Sequence, residues 1–268
     1  MKFRRRDLDK RYSVLQVVGA WLSRSGSCPL SLNIHRATAK NLPGILSTIV
    51  PHRARWEHVE LVIDAHSLLH LFDGAMPLLR HLDLSLSNCK AFELRAIDLP
   101  QLRSVKVMDD RKASVVKVTP LPWAQLTSLV LWAVTPSVVA SVLHQASRLV
   151  RCVLGFRSEQ SPFAGVHIIL PCLETLALIG GKGNATDLLG NLSAPALRRL
   201  EFQEGVLGTD PIRLMTVFIS VSVKLQEITI IRGHHSKRFL GSENHYRTTF
   251  PSIPTFSFAE TNKSYTEY

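Results

Sequence analysis

Segments with apolar residues at positions one, four and six recur along the chain. Two of them read LETLAL and LRRLEF and begin at Leu173 and Leu197. Apolar residues at every second position, here four and six, are those of a strand that buries one face. Recurrence at a nearly constant interval is typical of a solenoid, in which each unit buries the apolar face of its neighbour. The pattern therefore predicts a stack of repeated strands.

The repeat continues through most of the sequence. Its first apolar position falls at Trp56, Leu79, Leu102, Leu126, Leu149, Leu173, Leu197 and Leu225. The successive intervals are 23, 23, 24, 23, 24, 24 and 28 residues, and an earlier copy lies in SCPLSLNI. This L-x-x-L-x-L spacing is that of a leucine-rich repeat. We therefore expect an α/β fold, a leucine-rich-repeat solenoid whose curved parallel sheet of about nine strands is backed by helices and loops.

The predicted strands are short and evenly spaced. They fall at 28–34, 57–62, 80–85, 103–108, 127–132, 150–155, 174–179, 198–203 and 226–231. Position four of each strand should point into the stack and lie in register with position four of its neighbours. The residues expected in this buried row are Leu82, Val105, Leu129, Cys152, Leu176 and Leu200.

The segments between the strands contain helix signals of unequal strength. TPSVVASVLHQASRL predicts a helix with Thr135 at the N-cap and Pro136 at the first helical position. DPIRLMTVFISV repeats this arrangement with Asp210 and Pro211. Shorter helices are expected in AHSLLHLF and NLPGILSTIV.

Three regions follow from these patterns. We expect a basic segment and a leading helix at residues 1–24, the leucine-rich-repeat domain at 25–231, and a cap with a loose tail at 232–268. The last region is separated because the period is lost there and Ser, Thr, Asn and Pro become frequent.

Composition places the chain among soluble intracellular proteins. Its 268 residues are 46% apolar, but it has no apolar run of about 18 residues and no secretory signal at its start. Four cysteines are scattered without C-x-x-C spacing, which favours buried small side chains over a disulfide framework or a zinc site. We expect a cytoplasmic or nuclear protein without a membrane partner.

The net charge of +11 raises the question of nucleic acid. Residues 1–11 carry six basic and two acidic groups, and residues 232–268 carry five basic and three acidic groups. About +5 is therefore left for the body of the chain. So small a charge, with few aromatic residues and no stacking platform, disfavours nucleic-acid binding.

No set of side chains in the sequence has the arrangement of a catalytic or metal site. The segment GGKGNATD lacks the G-x-x-x-x-G-K-[ST] pattern of a phosphate loop, and its place after a strand indicates a turn. His234, His235 and His245 lack helical spacing and nearby carboxylate or thiolate partners, so solvated loop histidines are favoured over a metal site. His58 and His81 share one repeat position and should lie side by side at the surface, with a metal pair as the alternative. We expect no enzyme activity, no cofactor and no metal.

A family resemblance covers about residues 12–231. The phrases that carry it are WLSRSGSCPLSL, ILSTIVPHRARWEHVEL, LPQLRSV, LPWAQLTSLVL, LPCLETLAL and APALRRLEF. In this order they resemble the repeat region of fungal F-box proteins. The resemblance implies a substrate-recognition subunit of a cullin-type ubiquitin ligase, in which the F-box docks on the ligase adaptor and the repeats hold the target.

The sequence departs from that family at its start. A helical F-box with a leucine-proline start should precede WLSRSG, where only 20 residues stand. The segment YSVLQVVGAWL is similar to the helix that leads from an F-box into the repeats. We expect docking on the ligase adaptor only if an F-box lies upstream. The alternative is a stand-alone leucine-rich-repeat scaffold or binding module with no ubiquitin role.

The outward positions of the strands predict a binding face. If positions four and six point into the stack, positions three, five and seven point out across the concave face of the sheet. In the middle repeats these positions hold an apolar group with a basic border, namely Met108, Val130, Trp132, Val153 and Ile179 with Lys106, Arg151 and Arg199. Trp and Arg are enriched in binding hot spots, so we expect an unknown protein target there. Trp132 would be the anchor, and Arg151 and Arg199 would select an acidic or phosphorylated segment. The alternative is that a helix, the tail or a loop covers this patch.

Overall fold

The computed structural model of the chain describes residues 11–34, 42–64, 71, 74–87, 98–109, 121–157, 165–180, 185–232 and 243–259. The chain divides into two units, Met1–Pro122 and Trp123–Tyr268. Each unit has an α/β architecture in which parallel strands are backed by helices. The coarse fold class expected from the sequence is therefore confirmed.

The first unit is built on parallel strands that follow one another in the chain. Its described elements are α1 (Arg11–Arg24), β1 (Leu30–Ile34), α2 (Leu42–Ile49), β2 (Trp56–Asp64), β3 (His81–Ser87) and β4 (Ser104–Asp109). A 3-10 helix, Val50–Arg55, leads into β2. Strands β1 to β4 pair in sequence order. In β2, β3 and β4, residues that share a repeat position lie opposite each other, as His58 and His81 do. The register between β1 and β2 shifts after Leu30, so that Leu32 pairs with Val59.

The second unit repeats this plan with more helix. Its described α-helices are α3 (Pro136–Gln145), α4 (Thr186–Gly190), α5 (Pro211–Val221) and α6 (Glu243–Thr249). Its described strands are β5 (Ser128–Val134), β6 (Arg151–Phe156), β7 (Ile168–Ile169), β8 (Thr175–Gly180), β9 (Leu192–Ser193), β10 (Arg199–Gln203), β11 (Glu227–Ile231) and β12 (Thr255–Ala259). Strands β5, β6, β8, β10, β11 and β12 pair in that order, all in parallel, and β7 pairs with β9 in a separate two-stranded sheet.

The strands predicted from the repeat are confirmed. Each predicted strand has an observed counterpart whose ends differ by no more than two residues. Position four is buried throughout: Leu82 and Val105 lie opposite each other in the first unit, and in the second unit the row consists of Leu129, Cys152, Leu176 and Leu200. Each of these side chains is at most 2% exposed. The apolar residue at position four is therefore a core residue in each of these strands.

The two strongest helix signals are also confirmed, with one difference between their caps. α5 begins at Pro211, and the Asp210 carboxylate accepts the backbone N–H of Arg213 at 3.1 Å. α3 begins at Pro136, but the Thr135 hydroxyl caps no backbone group and lies 3.1 Å from the Ser137 hydroxyl. α2 confirms the helix expected in NLPGILSTIV, whereas AHSLLHLF lies outside the described residues except for buried Leu71.

The region after Arg232 contains a further copy of the spacing that was not predicted from the sequence. β12 pairs in parallel with β11 over all five of its residues. Ile253, Phe256 and Phe258 stand at positions one, four and six, and this copy begins 28 residues after the copy at Leu225. Residues 243–259 thus contain a helix and a strand, and the polar residues around them hid the repeat spacing. The division of the chain into three regions stays a prediction.

A buried hydrogen bond fastens α6 to the rest of the second unit. The Tyr246 hydroxyl donates to Glu204 Oε1 at 2.8 Å, and the two residues are 0% and 3% exposed. Burial, and then the Glu204 carboxylate, raise the pKa of Tyr246 above its usual range. Arg247 of the same helix donates to the backbone oxygen of Phe256 in β12 at 3.0 Å. Helix α6 thus links β12 to the 3-10 helix Glu204–Leu207.

Candidate protein-binding surface

The residues predicted to bind a partner are divided between the two units. Lys106 and Met108 lie on β4 of the first unit. The others lie on β5, β6, β8 and β10 of the second unit, namely Val130, Trp132, Val153, Ile179, Arg151 and Arg199. Because side chains alternate along a strand, all of them project from the side opposite to the buried position-four row of their own unit.

In the first unit, the predicted border residue Lys106 is engaged by a neighbouring strand. Its Nζ lies 3.5 Å from Asp83 Oδ2, and only 16% of its side chain is exposed. Asn33 of β1 pairs with Glu60 of β2, and the Asn33 amide donates to the Glu60 carboxylate. Met108, two residues after Lys106, is partly exposed. This face of the first unit is therefore polar, and its position-five groups contact one another.

His58 and His81 lie side by side, as their shared repeat position predicts. Their ring centroids are 4.4 Å apart, and the ring planes are within 9° of parallel. Burial, and then the adjacent His58, lower the pKa of His81, while Glu57 opposes the shift and Arg80 adds to it. A lowered pKa keeps the His81 ring neutral near pH 7, which favours close stacking of the two rings.

In the second unit, the apolar part of the predicted surface is largely buried. Val130, Val153 and Ile179 are 5%, 0% and 3% exposed and pack with Ala177. Trp132, the expected anchor, is partly exposed and packs against this cluster. The expectation that the three aliphatic residues are exposed is therefore wrong. Alternation places them on the correct face, but the larger Trp132 side chain packs against them there.

A bulge and a glycine determine where the Trp132 side chain lies. The register between β5 and β6 shifts after Trp132, so that Val134 and not Ala133 pairs with the next residue of β6. Ala133 has a φ of 58°, in the left-handed region that costs a residue with a side chain about 1 kcal/mol. Gly155 pairs with Trp132, and a β-carbon at Gly155 would overlap Trp132 Cε3. The indole can therefore lie over β6 only because position seven of that strand has no side chain.

The two arginines of the predicted border lie on alternate strands at position three. Thr175 lies between Arg151 and Arg199 in register, so the two Cα atoms are about 10 Å apart. Both arginines are exposed. Arg199 Nε, however, donates to Glu227 Oε2 at 2.7 Å. An acidic group of a partner would therefore compete with Glu227 for Arg199, whereas Arg151 is exposed at the other side of β8.

Buried polar residues extend the same face and were not singled out from the sequence. Glu201 and Gln203 of β10 are each 8% exposed at positions five and seven. Gln203 Oε1 accepts the backbone N–H of Gly180 at 3.0 Å. Farther along, the Thr229 and Ser257 hydroxyls lie 2.8 Å apart across β11 and β12. Their repeat positions could have identified them, because Val153 and Ile179, which were predicted to bind a partner, hold the same positions in their own strands.

Cysteine and histidine chemistry is sparse in the described residues. Cys152 is buried, and burial raises the pKa of its thiol to about 12, so the reactive thiolate is disfavoured. Cys28 and Cys172 are exposed, which corrects the expectation that the cysteines are buried. His245 is exposed on α6. Residues 234–235 fall outside the described residues, as does the segment 181–184, which was predicted to be a turn. Within the described ranges, no group of three or more His, Cys, Asp or Glu side chains could hold a metal ion.

Two further findings concern membrane-spanning helices and similarity to known proteins. No helix in the described ranges has both the length and the apolar character needed to cross a bilayer. No protein-family model, no curated protein and no solved structure matches the chain. Function must therefore be inferred from the residues of this chain alone.

Proposed function

We propose that this chain is a leucine-rich-repeat solenoid that recognises another protein, as the substrate-recognition part of an F-box-type ubiquitin ligase. The observation that carries the recognition role is the position of Trp132, which is held over a buried apolar cluster and remains partly exposed. A large aromatic side chain fixed in this way can bury much area in a complex at a low cost in conformational entropy. The near-constant spacing of the parallel strands supports the solenoid.

The arginines of position three define the polar part of the recognised motif. Arg151 is exposed on the strand that also carries Gly155. A partner carboxylate or phosphate can form charge-assisted hydrogen bonds with Arg151 and compete with Glu227 for Arg199. The expected target motif therefore has an apolar side chain for Trp132 and an acidic or phosphorylated residue for the arginines.

Co-purification of the full chain from its source organism tests this surface. Trp132→Ala and Arg151→Glu should each reduce recovery of the partners that the wild type recovers. The double variant Arg199→Glu with Glu227→Arg keeps an ion pair but moves the positive charge from β10 to β11. Reduced recovery in this variant would therefore reflect lost recognition and not lost stability. Gln145→Ala, an exposed change on α3, is the matched control. Unchanged recovery in every surface variant, with thermal melts that show intact folding, would contradict the proposal.

The turnover of the recovered partner separates the ligase role from the scaffold alternative. A ligase substrate should live longer, and carry fewer ubiquitin conjugates, when the chain is deleted or when Trp132→Ala is introduced. A scaffold or binding module with no ubiquitin role should leave the half-life of the partner unchanged. Loss of binding with unchanged turnover would therefore exclude the ubiquitin role and retain protein recognition.

A further inference from the structure

Helix α5 carries a second surface, formed by helix residues and not by strand residues. Val217 and Val221, one helical turn apart, are 60% and 56% exposed, and Val223, just beyond the helix, is 82% exposed. We call these three residues the valine ridge. The helix packs inward through other residues, which are Pro211, Met215 and Phe218. The ridge therefore lies on a side of α5 that its own packing leaves exposed.

The valine ridge departs from the usual composition of an exposed helix face. β-Branched residues are poorer helix formers than Ala, Lys or Glu, so local stability does not favour valines at Val217 and Val221. Single exposed apolar residues are common on protein surfaces, but a contiguous group is typical of an interaction site. Two side chains four residues apart form the type of ridge that fits the groove of a second helix.

A cation stands at each end of the valine ridge. Arg213 precedes Val217 by one turn, and Lys224 directly follows Val223. Both are exposed, and neither forms an ion pair with any residue in the described part of the chain. The nearby Asp210 carboxylate accepts the backbone N–H of Arg213. Arg213 lies in the first turn of α5, and Lys224 lies three residues beyond the last helical residue, Val221.

We propose that the valine ridge docks an amphipathic helix of a different protein, one that carries an apolar stripe with acidic side chains at its two ends. Charge complementarity determines the choice of partner. A second copy of this chain would bring the Arg213 and Lys224 cations of both copies together in either relative orientation. An interfacial membrane helix would carry bulky Trp, Phe or Leu side chains, whereas here the exposed apolar residues are valines. This proposal is independent of the Trp132 surface.

Synthetic helical peptides of defined charge provide the direct test. One peptide carries a leucine stripe with a glutamate at each end, and its matched control carries lysines at those two positions. Fluorescence anisotropy with the full chain should show the glutamate peptide bound about tenfold more tightly than the lysine peptide. Arg213→Glu with Lys224→Glu should reverse this preference, and serine at all three ridge positions should abolish binding of both peptides. Trp132→Ala should leave the peptide affinities unchanged, so failure here and failure of the proposed function are distinguishable.

Several outcomes would overturn the docking proposal. Equal affinity for the two peptides, or no binding of the glutamate peptide, would remove the charge argument. Self-association of the wild type in sedimentation velocity, lost in the serine variant, would identify the ridge as an interface between copies. Co-sedimentation with phosphatidylserine-containing vesicles, lost in the charge-reversed variant, would identify a membrane surface instead.

Discussion

At the scale of single residues, the position of Trp132 depends on two neighbours that depart from ordinary strand preferences. Ala133 has a left-handed backbone conformation, and Gly155 has no side chain at a strand position where most residues have one. Glycine in a strand costs about 0.5 to 1 kcal/mol relative to alanine, and the left-handed alanine adds a similar cost. Local strain that the fold tolerates is often associated with a functional site, and here it accompanies the exposed aromatic of the proposed interface.

Replacement of Gly155 tests whether the indole needs that space. Gly155→Ala should lower the free energy of unfolding by about 1 to 3 kcal/mol, because the new methyl group and the Trp132 ring cannot share one volume. Urea denaturation measures the change. Gly190→Ala is the matched control, since no atom lies within 4 Å of the β-carbon it would add. In the background of Trp132→Ala the cost should largely disappear, and a cost that persists there would contradict the proposed contact.

At the scale of elements, the two best helices differ in how their first turns are satisfied. Asp210→Ala should lower the free energy of unfolding by about 1 kcal/mol, because the carboxylate caps the Arg213 N–H. Thr135→Ala should have almost no effect, since its hydroxyl lies against Ser137 and not against a backbone donor. Thermal melts of both variants measure the difference. Equal losses would show that Thr135 caps α3 in solution.

The strands could be predicted closely because their pattern records burial. A residue such as Leu176 is apolar because its position faces the buried side of the sheet, and this requirement returns in each successive strand. β12 was not predicted although Phe256 and Phe258 keep the spacing, because the residues around it have the polar composition of a loose tail. The short pair β7 and β9 has two residues in each strand, too few for any period to be visible.

Leu176 and Thr175 separate inward from outward positions on one strand. Leu176→Ala should lower the free energy of unfolding by about 2 to 5 kcal/mol, because it empties a fully buried site between Cys152 and Leu200. Thr175→Ala, at a partly exposed position, should change it by less than about 0.5 kcal/mol. Chemical denaturation followed by circular dichroism makes the comparison. If the leucine variant were as stable as the threonine variant, the inward assignment would be wrong.

At the scale of the whole molecule, strand alternation predicts which side of a sheet a residue faces, but it does not predict whether that residue is exposed. Alternation placed Val153 and Ile179 on the outward face, but exposure depends on what the neighbouring strands contribute, and there Trp132 packs against them. Likewise, the charge of Arg199 was evident, while its ion pair with Glu227 depends on the register of β10 and β11. Side-chain partners across strands are a tertiary property, so one repeat read alone cannot supply them.

The buried hydrogen bond from Tyr246 to Glu204 holds helix α6 to the second unit, and we expect its contribution to stability to fall at alkaline pH. The folded chain raises the pKa of Tyr246, whereas in the unfolded chain the phenol titrates near about 10. A raised folded pKa means that the stabilisation is fully present below the unfolded pKa and is lost as pH rises above it. At pH 8, Tyr246→Phe should cost about 1 to 3 kcal/mol, because Glu204 loses a buried donor. Above pH 10, the advantage of the wild type over this variant should shrink by about 1.4 kcal/mol per pH unit.

Urea denaturation between pH 8 and 11 measures the difference in unfolding free energy between the wild type and Tyr246→Phe. The other tyrosines and the lysines are present in both proteins, so their titration cancels in this difference. Hydrogen exchange adds a local readout, since loss of the Tyr246 contact should release the amides of β12, such as the Thr255 N–H that bonds the Gln226 oxygen, before those of β10. Arg247→Lys, which keeps a cation near Phe258 and leaves the Tyr246 bond intact, is the matched control and should retain the wild-type pH dependence. A wild-type advantage that stays constant up to pH 11 would mean that the Tyr246 hydroxyl is not buried against Glu204 in solution.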